Sequence, residues 1–179
     1  MSLQSNQYLK FCASVLLWSL WAFNAVAQTC ISSIPSTTPE AEFEELSTVQ
    51  IKHTRTGLIW MRCAIGQSWD GNSCEGDATQ MTWQEALQLA QGYQVENTLG
   101  WRLPNVKELS TLTERQCVRP SINATVFPNT PEDDFWSSTP SVSDPQRAWV
   151  VAFFNSSNSL KDKDRFVFVR LVRNAGPTE

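Results

Sequence analysis

Gly100-Trp101-Arg102-Leu103-Pro104-Asn105-Val106-Lys107-Glu108-Leu109 is the stretch on which the fold turns. Pro104 favours an extended residue before it, so Leu103 is not helical. Asn105, followed three residues later by Glu108, is a capping box, with each side chain reaching the other's backbone amide. Val106, Leu109 and Leu112 then recur on one face, which predicts a helix ending near Glu114. Arg102 stands between Trp101 and Leu103, and Arg170 stands inside a second apolar run. A guanidinium in such surroundings needs a carboxylate, and Glu108 and Glu85 are the candidates. Trp101, Arg102, Glu108 and Arg170 are therefore expected to serve the fold.

Toward the N-terminus, Thr82-Trp83-Gln84-Glu85 is a second capping box, opening a helix to about Gln91. Thr48 to Ile51 and Leu58 to Met61 read as short strands around a turn at Thr54-Arg55-Thr56-Gly57. Gly66 to Thr79 is a polar loop. Toward the C-terminus the chain is loop-like from Cys117 to Phe135, and Phe135 to Ser138 reads as a strand. Ala148 to Phe154 and Phe166 to Val172 read as the arms of a hairpin with a long polar tip. Trp60, Trp83, Trp101, Trp136 and Trp149 lie in patterned elements and are expected in the core. Two helices in mid-chain with strands at both ends make a single α+β domain.

The first residues set the compartment. Lys10 precedes an uncharged apolar run, Phe11 to Phe23, and then Ala25-Val26-Ala27. A basic start, a run shorter than the ~20 residues of a membrane span and a small-x-small triplet make residues 1–27 a signal peptide. No membrane span is expected after cleavage. Residues 28–45, rich in Pro, Ser, Thr and Glu, read as an extended lead-in, and 46–174 as the domain. Export makes cysteines candidates for bridges. The spacing favours Cys63–Cys74, around Asp70-Gly71-Asn72, and leaves Cys30–Cys117. Losing the leader moves the formal charge from −4 to −5, since only Lys10 goes with it. Nucleic acid is not an expected partner, because phosphate binding needs clustered Lys and Arg.

Catalytic motifs are absent from the sequence. His53 is the only histidine, read as an exposed residue at a strand end, and no nucleophile elbow, phosphate loop or dinucleotide fingerprint occurs. No metal or other cofactor is expected, and the chain is read as non-enzymatic. Asp133 and Asp134 are adjacent and point opposite ways in extended chain, so they are not a paired acid and base. Lys161, Lys163 and Arg165 alternate with Asp162 and Asp164, which cancels most of their field. Trp69 is the one tryptophan in a polar loop, where it is free to meet a ligand. The unpatterned segments Gly66 to Thr79, Asn123 to Asp134 and Ser138 to Gln146 are the natural place for binding. Trp69, Asp70, Asp133 and Asp134 are the candidate ligand residues.

Seven blocks stand in order along the chain. They are Thr54-Arg55-Thr56-Gly57-Leu58-Ile59-Trp60, Thr82-Trp83-Gln84-Glu85-Ala86-Leu87, Gly100 to Leu109, Pro120-Ser121-Ile122-Asn123, Val126-Phe127-Pro128-Asn129-Thr130, Phe135-Trp136-Ser137-Ser138-Thr139 and Val169-Arg170-Leu171-Val172-Arg173. Together they resemble the bacterial Lcl C-terminal domain family, from about Cys30 to Arg173. The resemblance implies a C-type-lectin-like fold, shared with formylglycine-generating enzymes, in which two helices flank a small antiparallel sheet and long loops form one face. It also implies an adhesin-like role, since the family's named member is a collagen-like adhesin whose domain binds sulfated polysaccharides. The expectation is an exported binding module for a polysaccharide or surface protein, periplasmic, on the outer surface or secreted. A structural or assembly component of a surface apparatus is the alternative, and an enzyme on the formylglycine-generating fold a weaker one. The sugar-binding Glu-Pro-Asn and Gln-Pro-Asp triplets of calcium-dependent lectins do not occur, and no collagen-like stalk is present.

Overall fold

The computed structural model describes residues 28–176. Segment 1–27, expected from the sequence to be a signal peptide, lies outside the described residues. Two sheets carry the architecture. The first has five strands in the order Ser157–Asp162, Arg147–Ala152, Asp134–Pro140, Val167–Phe168 and Gln80–Met81. The second has four, in the order Val172–Asn174, Leu58–Met61, Gln50–His53 and Phe43–Glu45. Pairing is antiparallel except where Phe168 meets Phe135, which is parallel. The result is a small α+β domain, as expected.

Both capping boxes form. The helix Trp83–Ala90 (α1) opens on Thr82, whose backbone amide donates to Glu85 Oε2 at 2.8 Å. The helix Val106–Ser110 (α2) opens on Asn105, whose Oδ1 accepts from the Glu108 amide at 2.9 Å. The α2 helix stops a turn short of the predicted end. The Thr111 and Thr113 hydroxyls donate to the carbonyls of Glu108 and Ser110, and Thr113 bridges to Ile122. These local bonds compete with further helix.

The predicted hairpin is corrected. Arg147–Ala152 does turn back on itself, but its partner is Ser157–Asp162, the segment read as a polar tip. The turn is tight because Ser156 takes a positive φ of 63°. A polar, Lys-bearing edge strand of this kind has no apolar pattern to announce it. The apolar run 166–172 instead divides, Val167–Phe168 joining the five-stranded sheet and Val172–Asn174 the four-stranded one. Trp60, Trp101 and Trp136 are buried in the core, whereas Trp83 and Trp149 are only half-buried. His53 is also corrected. It is fully buried, stacked on Phe43 at 4.9 Å between ring centroids, with Nε2 3.3 Å from Glu42. Burial, its largest influence, lowers the pKa below the usual imidazole range. The alternation of Gln50–His53 turns it to the inner face, which a reading of His53 as a strand end could not see.

The lead-in is built into the domain. Thr29–Cys30 pairs with Cys117–Val118, and Phe43–Glu45 forms the outer strand of the four-stranded sheet. Both expected disulfides are present, Cys30–Cys117 and Cys63–Cys74. Glu114, unremarkable in the sequence, clasps this segment. Its carboxylate accepts from the Ser36 hydroxyl and from the amides of Thr37 and Thr38, both at 3.0 Å. Burial alone raises its pKa, but these bonds and the Gln116 amide outweigh burial and lower it to about 2. A carboxyl depressed on folding stabilises the protein above its unfolded pKa, and that stability fades as the pH falls toward the folded value. Wild type should therefore lose melting temperature steeply from pH 4.5 to 2.5. Glu114→Gln should start lower at neutral pH and show a visibly shallower loss in the same thermal scans.

The expectation of a carboxylate partner for Arg170 is corrected. Arg170 is fully buried, and neither Glu85 nor Glu108 reaches it. Nη1 donates to the carbonyls of Met61, at 2.8 Å, and Arg62. Nη2 donates to Thr130 Oγ1 at 2.7 Å, and the guanidinium faces the Phe127 ring at 5.0 Å. Burial lowers its pKa to about 9, so it stays protonated at neutral pH. Carbonyl dipoles and an aromatic face can stand in for a carboxylate because the fork offers five donors at fixed angles. Arg102 does find Glu108, through two 2.8 Å hydrogen bonds. Burial opposes ionisation of Glu108, yet the Arg102 and Asn105 bonds outweigh it and keep the carboxyl below its ordinary range.

Candidate functional site

The expected ligand residues fall in two places. Trp69 and Asp70 lie at the two-stranded ribbon Ser68–Trp69 and Cys74–Glu75, closed by Cys63–Cys74. Asp70 Oδ1 accepts from the Asn72 and Ser73 amides at 2.8 and 2.7 Å, which lowers its pKa. Its charge thus shapes the turn that carries it. Trp69 is half-buried, with the Arg62 guanidinium 4.3 Å from the ring centroid. The ribbon is fastened to the Asn123 to Asp134 loop through Asn129, whose Nδ2 donates to Ser73 Oγ and the Cys74 carbonyl at 2.8 and 3.0 Å.

Asp133 and Asp134 do not join that ribbon. They line a polar cleft of about 300 Å³ with Gln80, Lys161, Arg165 and Phe166. Asp134 pairs with Lys161 at 2.9 Å. Among the described residues, the Asp133 carboxylate accepts only the next residue's amide, at 2.7 Å. The Arg165 guanidinium has no ion-pair or hydrogen-bond partner among the described residues. Phe166, on the rim, is 65% exposed.

A larger hollow, about 540 Å³, runs along the open side of α1 and was not anticipated from the sequence. Trp83, Leu87 and Pro145 supply apolar lining, while Thr82, Gln84, Gln146, Lys163 and Asp164 supply polar groups. Trp83 is fixed in place, its indole N–H donating to the Ser137 carbonyl at 2.8 Å and Lys163 Nζ lying 4.2 Å from its ring centroid. Lys163 in turn donates to the Pro145 carbonyl at 2.7 Å. The carboxamides of Gln84 and Gln146 have no partner among the described residues, and both side chains are exposed. Leu87 also lines a second hollow, of about 510 Å³, bounded by Ser138, Trp101, Asn105 and the Arg102–Glu108 pair. The sequence signals for the groove are the loop Ser138 to Gln146, whose Pro145 and Gln146 line it, and the position of Trp83. Trp83 is the first residue of α1, next to the half-buried cap Thr82.

The ridge 161–165 separates the groove from the charged cleft. Lys161 and Arg165 line one side of it, Lys163 and Asp164 the other. Backbone bonds hold it, from the Trp83 amide to the Lys163 carbonyl at 3.0 Å and from the Lys163 amide to Gln146 at 2.9 Å. Among the described residues, no three of His, Cys, Asp and Glu converge as metal ligands, and no helix is long and apolar enough to cross a membrane. The disulfides fit a compartment outside the reducing cytoplasm. A family model described as the Lcl C-terminal domain matches residues 49–173. No curated protein matches the chain.

Proposed function

Because the chain belongs to the Lcl C-terminal domain family, we propose that it is an exported, non-catalytic binding module that holds a saccharide at the cell surface, in the manner of an adhesin. The observation that carries this reading is the α1 groove, with apolar lining beside two carboxamides that have no bonding partner among the described residues. A pyranose has apolar C–H faces and a rim of hydroxyls. The former suit Trp83, Leu87 and Pro145, and the latter suit planar amides that both donate and accept. Trp83 and Leu87 stand on α1, and the Trp83 ring is held by its bond to the Ser137 carbonyl, which lowers the entropic cost of stacking on a sugar. The second hollow, on the other side of Leu87, offers a place for a further sugar unit. A C-type-lectin-like fold is part of this proposal. Its support is that the C-terminal strand Val172–Asn174 lies beside Leu58–Met61, near the other end of the domain.

Gln84→Ala and Gln146→Ala test the site, since both side chains are exposed and neither holds the fold. Each should weaken binding of a retained oligosaccharide about tenfold, as expected for loss of a hydrogen bond or two. Melting temperatures should stay within about 1 °C of wild type. Unchanged affinity in the double variant would move the site elsewhere.

A further inference from the structure

We propose that the cleft between Asp133–Asp134 and Lys161–Arg165 binds a small zwitterion of amino-acid type, its carboxylate on Arg165 and its ammonium on Asp133. The cleft holds two carboxylates and two cations. Asp134 and Lys161 neutralise each other at 2.9 Å. That leaves one acid and one base uncommitted, since among the described residues Asp133 accepts a single neighbouring amide and Arg165 engages no side chain. A cleft with no net charge offers little attraction to a polyanion or a bare cation, because each meets as much repulsion as attraction. A molecule carrying both charges satisfies both walls. The planar fork of Arg165 matches a carboxylate, and a primary ammonium has hydrogens to give to Asp133 and to the Gln80 amide oxygen. The cleft volume of about 300 Å³ lies at the small end for ligand sites, which limits the occupant to roughly amino-acid size. Phe166, 65% exposed on the rim, offers an apolar contact to the occupant's side chain. This site is separate from the saccharide groove and stands without it.

The probes are L-leucine, N-acetyl-L-leucine, which lacks the ammonium, and L-leucinamide, which lacks the carboxylate. Calorimetric titration of the purified protein should show saturable leucine binding, with both blocked forms at least about tenfold weaker. Arg165→Gln should bind leucine and leucinamide equally, and Asp133→Asn should bind leucine and N-acetyl-leucine equally. Both side chains face solvent, so the variants should keep the wild-type melting temperature. No leucine binding up to about 10 mM, blocked forms that bind as leucine does, or variants that still discriminate would each overturn the proposal. Neither variant should alter saccharide binding in the α1 groove. Failure here therefore leaves the saccharide reading intact, and failure there leaves this one intact.

Discussion

Replacing Arg170 with alanine is expected to lower the melting temperature by about 10 °C. The side chain is fully buried and donates to two carbonyls and to Thr130. Truncation strips partners from the Met61 and Arg62 carbonyls and opens a cavity beneath Phe127 and Phe135. Unsatisfied buried acceptors and lost volume together cost about 3–5 kcal/mol, which for a domain of this size is roughly 10 °C. Arg170→Lys should recover only part of the loss, because one ammonium cannot span the Met61–Arg62 carbonyls and Thr130 at once. Arg170→Met should refill volume without restoring the bonds. Thermal scans of the three variants separate packing from hydrogen bonding, and an alanine variant within about 2 °C of wild type would remove Arg170 from the account.

Removing the Cys30–Cys117 bridge should follow close behind. It spans 87 residues, against 11 for Cys63–Cys74. In the chain-entropy model the long loop contributes about 4.5 kcal/mol and the short one about 3 kcal/mol. The Cys30→Ala/Cys117→Ala protein should melt lower than Cys63→Ala/Cys74→Ala, although Glu114 still holds Thr37 and Thr38. Denaturant titrations of the two pairs give the comparison. The opposite order would show that the lead-in is held by Glu114 and strand pairing more than by its disulfide.

Much of the fold was legible because it rests on local chemistry. Thr82–Glu85 and Asn105–Glu108 are i to i+3 pairs, and both helix starts follow from them. The disulfides and the Arg102–Glu108 pair were legible for a similar reason, few partners being possible. What escaped the sequence depends on distant partners. The strand Ser157–Asp162 carries no apolar pattern because it is an edge, and it forms only because Arg147–Ala152 offers it a ladder. Glu114 acquires its depressed pKa from Ser36, Thr37 and Thr38, nearly eighty residues away. Arg170 was expected to need a carboxylate, whereas two backbone carbonyls and an aromatic face serve. Of the four expected ligand residues, the sequence could not tell that Asp133 and Asp134 share a cleft with Arg165, or that Trp69 leans on Arg62. The α1 groove was hidden because Gln84 and Gln146 are ordinary surface residues until the turn before Arg147–Ala152 brings them together.

Saccharide binding without catalysis or calcium is decided by a glycan array read once with calcium and once with a chelator. The expected result is retention of a defined set of oligosaccharides that is the same in both conditions, with every glycan intact afterwards and the signal weakened in the Gln84→Ala/Gln146→Ala protein. No retention of any glycan, signal lost in chelator, or binding indifferent to the double substitution would contradict it.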